Sequence, residues 1–223
     1  MHLRAAIFDL DGTLVDSLAD IAAAMNHSLT QHGLPTHPVA DYRHYVGEGV
    51  MVLVRKATQG GDEPLHASVL AAYRAYYADH LFDQTRTYPG IPAMLARLAD
   101  EDVRLAVLSN KSDTFTKRLV EGLLPGVPFK AVYGERPGVP RKPDPTAALE
   151  LAAELGVAPA DCAFVGDTPV DMNTARNAGM HGIGVTWGFR SAEELRAHGA
   201  RALATTAEEL LAALRAGLVG VRR

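Results

Sequence analysis

Two carboxylates and a glycine stand close together near the start of the chain, in the run Asp9-Leu10-Asp11-Gly12-Thr13. Two acids two positions apart, followed by a residue that lets the chain turn sharply, form an acidic pocket suited to a hard cation such as Mg²⁺. Paired carboxylates can also divide labour, because one ionised acid acts as a nucleophile while its neighbour holds a proton as general acid. The plain alternative is that these residues only end a strand.

Polar groups that can bind an anion occur at two later points of the chain. Ser109 and Asn110 follow an apolar run, where a hydroxyl and an amide can donate hydrogen bonds to a phosphate oxygen. Lys142 precedes Pro143, which stiffens the chain, and its compact ammonium suits a point contact with an anion. Both groups have ordinary alternatives, since serine and asparagine also cap helices and most lysines lie on the surface.

A second pair of acids, Asp167 and Asp171, lies four positions apart after the apolar run that ends at Gly166. We predict that Asp167 ends a strand and serves a metal site. Two roles are open to Asp171. It is either part of the same metal site or the acidic member of a capping box opened by Thr168 at the start of a helix.

The residues above follow short apolar runs without polar alternation, which is typical of strands buried on both faces of a parallel sheet. The runs are 5–8, 105–108, 131–133, 163–165 and 183–185. Amphipathic stretches of helical period lie between the later runs. This alternation predicts an α/β fold with a doubly wound, Rossmann-like parallel sheet, whose ligands lie at the carboxyl ends of the strands.

The segment from Ser17 to about Arg86 breaks this alternation, because its patterns are helical throughout. The predicted helices cover Leu18–Gln31, Val50–Ala57 and Leu65–Leu81. A capping box that begins at Ser17 is expected to open the first of them. A crossover between neighbouring strands needs only one helix, so this segment is far too long for one. We therefore predict a helical domain at 17–86, inserted into a core made of 1–16 and 87–223.

Composition excludes several classes of protein. The 223 residues include 22 basic and 26 acidic side chains, and the net charge of −4 argues against a nucleic-acid partner. A single cysteine, Cys162, forms no internal disulfide and is expected to be a buried, inert thiol. No apolar run approaches the roughly 18 residues of a membrane span, and Asp9 comes too early for a signal peptide. We therefore expect a cytoplasmic protein that does not bind membranes.

Taken together, these groups resemble the four motifs of the haloacid dehalogenase superfamily of phosphohydrolases. The matching residues are Asp9-Leu10-Asp11-Gly12-Thr13, Ser109-Asn110, Lys142-Pro143 and Gly166-Asp167 with Asp171. Tyr88-Pro89-Gly90 and Lys142-Pro143-Asp144-Pro145 are similar to the phosphoglycolate phosphatase-like branch, in which an α-helical cap domain follows the first strand. The resemblance implies a Mg²⁺-dependent phosphatase for a small acidic phosphomonoester, with 2-phosphoglycolate as the first candidate.

The resemblance also implies roles for the acidic residues. Asp9 would attack phosphorus and form an aspartyl-phosphate, and Asp11 would protonate the leaving group. The Mg²⁺ ligands would come from Asp9, Asp11 and Asp167, with Asp11 using its backbone carbonyl. Asp171 would complete the metal site by orienting a metal-bound water or Lys142.

Substrate contacts are expected from both the core and the cap. The core residues are Thr13, Ser109, Asn110 and Lys142, of which Ser109 and Lys142 would bind phosphoryl oxygens and Thr13 would steer Asp11. In the cap, Gly47 and Gly49 precede an apolar helix and are expected to present backbone amides to a second anionic group of the substrate. Arg55, on that helix, is a candidate cation for the same group.

Two other functions stay open at this stage. A sugar phosphomutase resembling β-phosphoglucomutase would return the phosphoryl group from Asp9 to a sugar instead of to water. A catalytically idle binding protein would keep the fold alone, although every motif position here carries a chemically competent group. Monomer and homodimer are equally compatible with the sequence.

Overall fold

Two sheets are present in the structure, a computed structural model that describes residues 3–218. In chain order the strands are β1 (Ala5–Phe8), β2 (Val15–Asp16), β3 (Arg86–Thr87), β4 (Arg104–Ser112), β5 (Phe129–Glu135), β6 (Cys162–Gly166), β7 (His181–Val185) and β8 (Ala202–Ala204). The predicted core also takes in residues 1–2 and 219–223, which lie outside the described residues.

The larger sheet has the order β5-β4-β1-β6-β7-β8, and all of its strands are parallel. Both of its faces are buried. In β1, Ala5 and Ile7 belong to the hydrophobic cluster on one face, while Ala6 and Phe8 belong to the cluster on the other. This arrangement confirms the predicted α/β class and its doubly wound, Rossmann-like sheet.

Helices make up the other regular elements of residues 3–218. They are α1 (Leu18–Gln31), α2 (Val50–Thr58), α3 (Glu63–Asp79), α4 (Ile91–Asp100), α5 (Asp113–Leu123), α6 (Thr146–Glu154), α7 (Pro169–Asn177), α8 (Ala192–Ala197) and α9 (Ala207–Leu218), with short 3-10 turns at Val39–His44 and Pro159–Asp161. Apolar residues of α6 and α7 cover one face, and those of α4, α5 and α9 cover the other.

The chain between β2 and β3 is helical, as its sequence pattern predicts. The helix predicted over Leu18–Gln31 has those bounds, and α2 is one residue longer than predicted. Helix α3 begins at Glu63 because the Asp62 side chain accepts a hydrogen bond from the Leu65 amide and caps the helix there. β2 and β3 pair antiparallel, so the chain leaves and rejoins the larger sheet at one place.

The capping box predicted at Ser17 is wrong. Ser17 is the residue before α1, but its hydroxyl donates to Asp11 Oδ1 at 2.5 Å and accepts no hydrogen bond from the amides of the helix. The carboxylate of Asp20 accepts hydrogen bonds from the Gln84 and Thr85 amides and from the Thr85 hydroxyl. Both side chains therefore serve tertiary contacts across the junction, which a local capping pattern does not reveal.

Three smaller expectations can be compared with the structure. Cys162 is buried at the start of β6, and burial followed by the charge of Asp161 raises the pKa of its thiol to about 11, as expected for an inert cysteine. Strand β4 extends past Leu108 to Ser112 through an irregular register, so Ser109 lies inside the strand and not beyond its end. Within residues 3–218, no helix is both long and apolar enough to cross a membrane.

Candidate active site

The residues singled out in the sequence meet at one edge of the larger sheet. Asp9 follows β1, Asp167 follows β6, and Ser109 lies near the carboxyl end of β4. These three strands are neighbours, with β1 in the middle, so their ends open on a common crevice. Chain order reverses on the two sides of β1, and ligands of doubly wound sheets bind at such a point.

Three carboxylates form a buried cluster in this crevice. Oxygen atoms of Asp9, Asp167 and Asp171 all lie within 4.8 Å of one another. The Lys142 ammonium lies against two of them, 2.9 Å from Asp9 Oδ1 and 2.7 Å from Asp171 Oδ1. Only 1% of the Lys142 side chain is exposed, so both ion pairs are shielded from water. One buried lysine thus contacts two of the three buried acids.

This crowding of acids changes their protonation. Burial, followed by the charge of Asp171, raises the pKa of Asp9 to about 7, although Lys142 and the Leu10 amide oppose the change. Burial and the charges of Asp171 and Asp9 also raise the pKa of Asp167 well above its usual value. Burial disfavours the charged form of Lys142, but Asp171 and Asp9 outweigh it and raise the pKa of that ammonium. The cluster therefore holds more acid groups than the lysine can neutralise, as expected for an oxygen-lined cation site.

Asp167 is fixed by donors from two loops. Its Oδ1 accepts from the Thr13 hydroxyl at 2.9 Å, and its Oδ2 accepts from the Phe189 amide at 2.8 Å. Gly12 has a φ of +83°, and a Cβ there would stand 2.3 Å from Asp167 Oδ2, so both the turn and the close approach require glycine. The expectation that Thr13 steers Asp11 is wrong, because the buried Thr13 hydroxyl points to Asp167 instead.

Asp171 forms the capping box and also lies in the buried acidic cluster. Its Oδ2 accepts from the Thr168 amide and hydroxyl, which completes a capping box at the start of α7. Its Oδ1 accepts from Lys142, and the carboxylate belongs to the buried acidic cluster. One carboxylate does both because its two oxygens face opposite ways. The helix cap thereby holds the Lys142 partner in place.

Asp11 stands apart from the acidic cluster. Its carboxylate accepts from the Ser17 hydroxyl and from Lys111 Nζ, at 3.0 Å to Oδ1 and 2.9 Å to Oδ2. Sequence reasoning missed both partners. The spacing of Ser109 and Lys111 was the available signal, since residues two apart on a strand share a face.

Ser109 and Asn110 lie on the crevice but act differently. The Ser109 hydroxyl makes one weak contact, accepting from the Lys111 amide at 3.3 Å, so its own proton stays available. Asn110 brackets the Lys142 backbone, accepting from its amide at 2.9 Å and donating to its carbonyl at 3.0 Å. The same amide group donates to the Gly47 carbonyl at 3.0 Å. Asn110 thus ties the lysine loop to the helical segment.

The helical segment closes one side of the crevice. The cleft has about 490 Å³ of empty space, part of it open to solvent. Its core side carries Asp9, Asp11, Ser109, Asn110, Lys111 and Phe189, and its helical side carries Ile21, Val46, Gly47, Gly49, Val50, Leu53 and Tyr73. Of the predicted cap residues, the structure therefore brings Gly47 and Gly49 to the cleft. Arg55 is not brought there; it is half exposed and pairs with Glu63 at 2.8 Å.

Removal of the Lys142 charge is expected to destabilise the fold. Lys142→Met leaves Asp9 and Asp171 buried without their cation, and breaking such a buried ion pair costs about 3–5 kcal/mol in the free energy of unfolding. Urea unfolding without divalent metal measures the loss. Lys117→Met is the matched control, because Lys117 is half exposed in its pair with Asp113 and should change stability by less than about 1 kcal/mol. Equal losses in the two variants would contradict the prediction.

Comparison with known proteins gives concordant matches in sequence and in structure. A family model described as haloacid dehalogenase-like hydrolase matches residues 6–185. A protein of Pseudomonas putida named phosphoglycolate phosphatase is 36% identical over 192 residues, which are 83% of this chain and 70% of that protein. A phosphoglycolate phosphatase of Rhodospirillum rubrum is 35% identical over 90% of this chain and 86% of its own.

A solved structure is also similar throughout its length. It is the crystal structure of a Lactobacillus delbrueckii subsp. bulgaricus protein that is itself assumed to be a phosphoglycolate phosphatase. The two superpose with a TM-score of 0.91 and 36% sequence identity, covering 96% of this chain and 99% of the other. The similarity therefore includes both the helical segment and the sheet.

Proposed function

This chain belongs to the haloacid dehalogenase-like hydrolase family, and we propose that it is a Mg²⁺-dependent phosphatase that acts through an aspartyl-phosphate on Asp9. One observation carries the proposal. Asp9 Oδ1 is held by the Leu10 amide and Lys142, while no described residue donates a hydrogen bond to Oδ2. Asp9 lines the cleft, so a fixed carboxylate offers one oxygen to a bound substrate.

A divalent cation fits the acidic cluster. Its donors are carboxylate oxygens, which Mg²⁺ prefers, and the buried Lys142 contacts only two of the three acids. Asp9 and Asp167 would hold the ion together with the Asp11 carbonyl, and Asp171 would keep Lys142 in position. When bound, the ion offsets the repulsion between an anionic nucleophile and a phosphate dianion.

The first half of the reaction makes the aspartyl-phosphate. The Asp9 oxygen forms a bond to phosphorus as the bond from phosphorus to the ester oxygen breaks. Lys142 and the Ser109 hydroxyl bind non-bridging oxygens of the transferred group. Asp11 gives its proton to the leaving oxygen, so an alcohol departs instead of an alkoxide. Hydrogen bonds from Ser17 and Lys111 support this role by fixing the orientation of the Asp11 carboxyl.

The second half returns the enzyme to its starting state. Water attacks phosphorus, and the bond from phosphorus to the Asp9 oxygen breaks. Asp11, now ionised, accepts the proton of that water and is ready for another cycle. Inorganic phosphate is the product. The same carboxyl thus acts first as an acid and then as a base.

The helical segment 17–86 acts in this proposal as a cap over the core. Ile21, Val50, Leu53 and Tyr73 present an apolar surface to the cleft, which removes water from around the reacting groups. Gly47 and Gly49 present backbone to the same space at the start of α2. The bond from Asn110 to the Gly47 carbonyl joins this cap to the lysine loop when the cleft is covered.

The substrate is proposed to be a small acidic phosphomonoester such as 2-phosphoglycolate. The relatives described above carry the name phosphoglycolate phosphatase, and the covered cleft suits a small molecule. A sugar phosphomutase is not favoured, since no relative described above is named for that reaction. The Asp9 chemistry would be shared, but the phosphoryl group goes to water here.

The test of this function is phosphate release from a panel of phosphorylated metabolites and from p-nitrophenyl phosphate, with and without Mg²⁺. We expect turnover only with the metal and the highest kcat/KM for 2-phosphoglycolate. Absence of metal-dependent release from every compound would refute the phosphatase. Accumulation of a bisphosphorylated sugar in place of free phosphate would favour the mutase.

A further inference from the structure

One cation of the core, distinct from the enclosed Lys142, lines the cleft itself. Lys111 reaches it from the end of β4, and only 7% of its side chain is exposed. Its ammonium has three N–H donors, and among the described residues only the Asp11 carboxylate accepts from it. A donor is therefore left for a ligand in the cleft.

The two cations of α2 do not compete for this role. Arg55 pairs with Glu63, and Lys56 pairs with Glu48 at 2.7 Å and donates to a backbone carbonyl. Both lie at the surface and are occupied. Lys111 is the basic side chain that lines the described cleft, while Lys142 is enclosed by the acidic cluster. An anionic group at the covered end of the cleft thus meets Lys111.

The surroundings of Lys111 strengthen its attraction for an anion. The Tyr77 ring lies 4.8 Å from its Nζ, and Leu53 and Tyr73 form the facing wall of the cleft. Few waters compete for the ammonium in such an apolar setting, so a charge-assisted hydrogen bond there is worth more than at the surface. The site favours a carboxylate over a neutral group.

The place of Lys111 on β4 favours a small ligand. Ser109 and Lys111 both border the cleft and are two residues apart, in the part of β4 where the register with β5 is irregular. A second anionic group close to a phosphate held at Ser109 and Asp9 therefore lies near Lys111. A longer chain would meet the apolar wall from α2 and α3.

We propose that Lys111 binds the carboxylate of the substrate and thereby selects small phosphomonoesters that carry an acid close to the phosphate. This inference rests on the phosphatase function proposed above. It assigns substrate selection to a core lysine, whereas the sequence pattern placed the candidate cation on α2.

The test compares two substrates that differ only in the second group, 2-phosphoglycolate and ethyl phosphate. The ratio of their kcat/KM values is measured for the wild type, Lys111→Met, Lys111→Gln and Lys111→Arg. We expect the ratio to fall roughly 10- to 100-fold in the Met and Gln variants, as for loss of one charge-assisted hydrogen bond. The Arg variant keeps the charge and should retain most of the preference.

Lys117→Met serves as the control, because Lys117 lies on the exposed side of α5 and pairs with Asp113. Its ratio should equal that of the wild type. The Gln variant also keeps an N–H donor for Asp11, so it separates lost charge from misplacement of Asp11 and gives a result if the Met variant does not fold.

Four outcomes are informative. The proposal is supported if the ratio of kcat/KM values falls in Lys111→Met and Lys111→Gln but is retained in Lys111→Arg. Equal losses of kcat/KM on both substrates would mean that Lys111 only orients Asp11, and would overturn the proposal. A wild-type enzyme that does not prefer the acidic substrate would also overturn it. Failure of the wild type to hydrolyse either compound, or p-nitrophenyl phosphate, would instead reject the phosphatase function.

Discussion

Asp9→Asn protein is expected to lose at least about 10⁴-fold in kcat on every phosphomonoester, since no other group can form the covalent intermediate. The expected loss does not depend on the leaving group, because an amide is too weak a nucleophile for any ester. Initial rates of phosphate release on 2-phosphoglycolate and on p-nitrophenyl phosphate measure it. A trace of wild-type enzyme must be excluded, and Asp9→Ala provides that check because it cannot revert by deamidation.

The same variant should not be destabilised, which separates lost chemistry from misfolding. The raised pKa of Asp9 means that the folded chain binds this proton more tightly than the unfolded chain does. The tighter binding of this proton stabilises the folded chain below about pH 4, and this stabilisation is lost as the pH rises to about 7. Asparagine avoids burying that charge, so metal-free Asp9→Asn protein at pH 8 should unfold at the same urea concentration as the wild type or a higher one.

Asp100→Asn is the matched control, because Asp100 is an exposed acid at the end of α4. It should keep wild-type rates on both substrates. Metal-dependent turnover within about tenfold of the wild type in Asp9→Asn protein would reject Asp9 as the nucleophile. A large loss in both variants would point to a general effect of charge.

The positions of the strand-end residues were predictable because they depend on short-range rules. An apolar run without alternation marks a buried parallel strand, and the ligand edge of such a sheet is always the carboxyl end. Asp9, Ser109 and Asp167 could be assigned to one crevice on that basis alone. Lys142 followed from its place after β5 at the same edge.

Contacts made between distant parts of the chain were not predictable in the same way. The Thr13 hydroxyl has Asp11 two residues away, yet the turn at Gly12 directs it to Asp167, 154 positions along the chain. Ser17 looked like a helix cap because its neighbours fit that pattern. Its hydrogen bond to Asp11 forms because the chain turns back between these two residues, and the sequence pattern does not reveal that turn.

The two cations illustrate the same limit. Arg55 was a reasonable candidate because it lies on α2 close to Gly49, but Leu53 and Val54 of that helix are buried. At 100° per residue, Arg55 lies on the side away from Leu53, which faces the cleft. Lys111 lies on the correct face of β4, but its partner is 100 positions away. Local periodicity predicts which face of a helix or strand a side chain occupies, but it does not predict which distant residue that side chain contacts.

Asp11→Asn protein is expected to discriminate between substrates by their leaving groups. Proton donation to the leaving oxygen typically contributes 10²- to 10⁴-fold, so kcat/KM on alkyl phosphates such as 2-phosphoglycolate should fall by about 10³. A p-nitrophenolate leaves as a stable anion and needs no proton. For p-nitrophenyl phosphate we therefore expect a fall in kcat/KM of less than about tenfold.

The second role of Asp11 predicts a further signature in the same variant. Without a base to activate water, the aspartyl-phosphate should hydrolyse slowly and accumulate. Stopped-flow measurement with p-nitrophenyl phosphate should then show a burst of about one p-nitrophenolate per enzyme, followed by slow turnover. The kcat on this substrate falls even though its kcat/KM is nearly preserved, because only the later step is slowed.

The control for this prediction is Asp16→Asn, since Asp16 is an exposed acid in β2 that lies in the same stretch of chain. It should show wild-type kinetics on both substrates and no burst. Equal losses of kcat/KM on the alkyl and aryl esters would contradict the role of Asp11 as the proton donor. A selective loss of kcat/KM with no burst would keep Asp11 as the proton donor and assign the activation of water to another group. The reason is that both half-reactions should be slow in this variant if both use the Asp11 carboxyl.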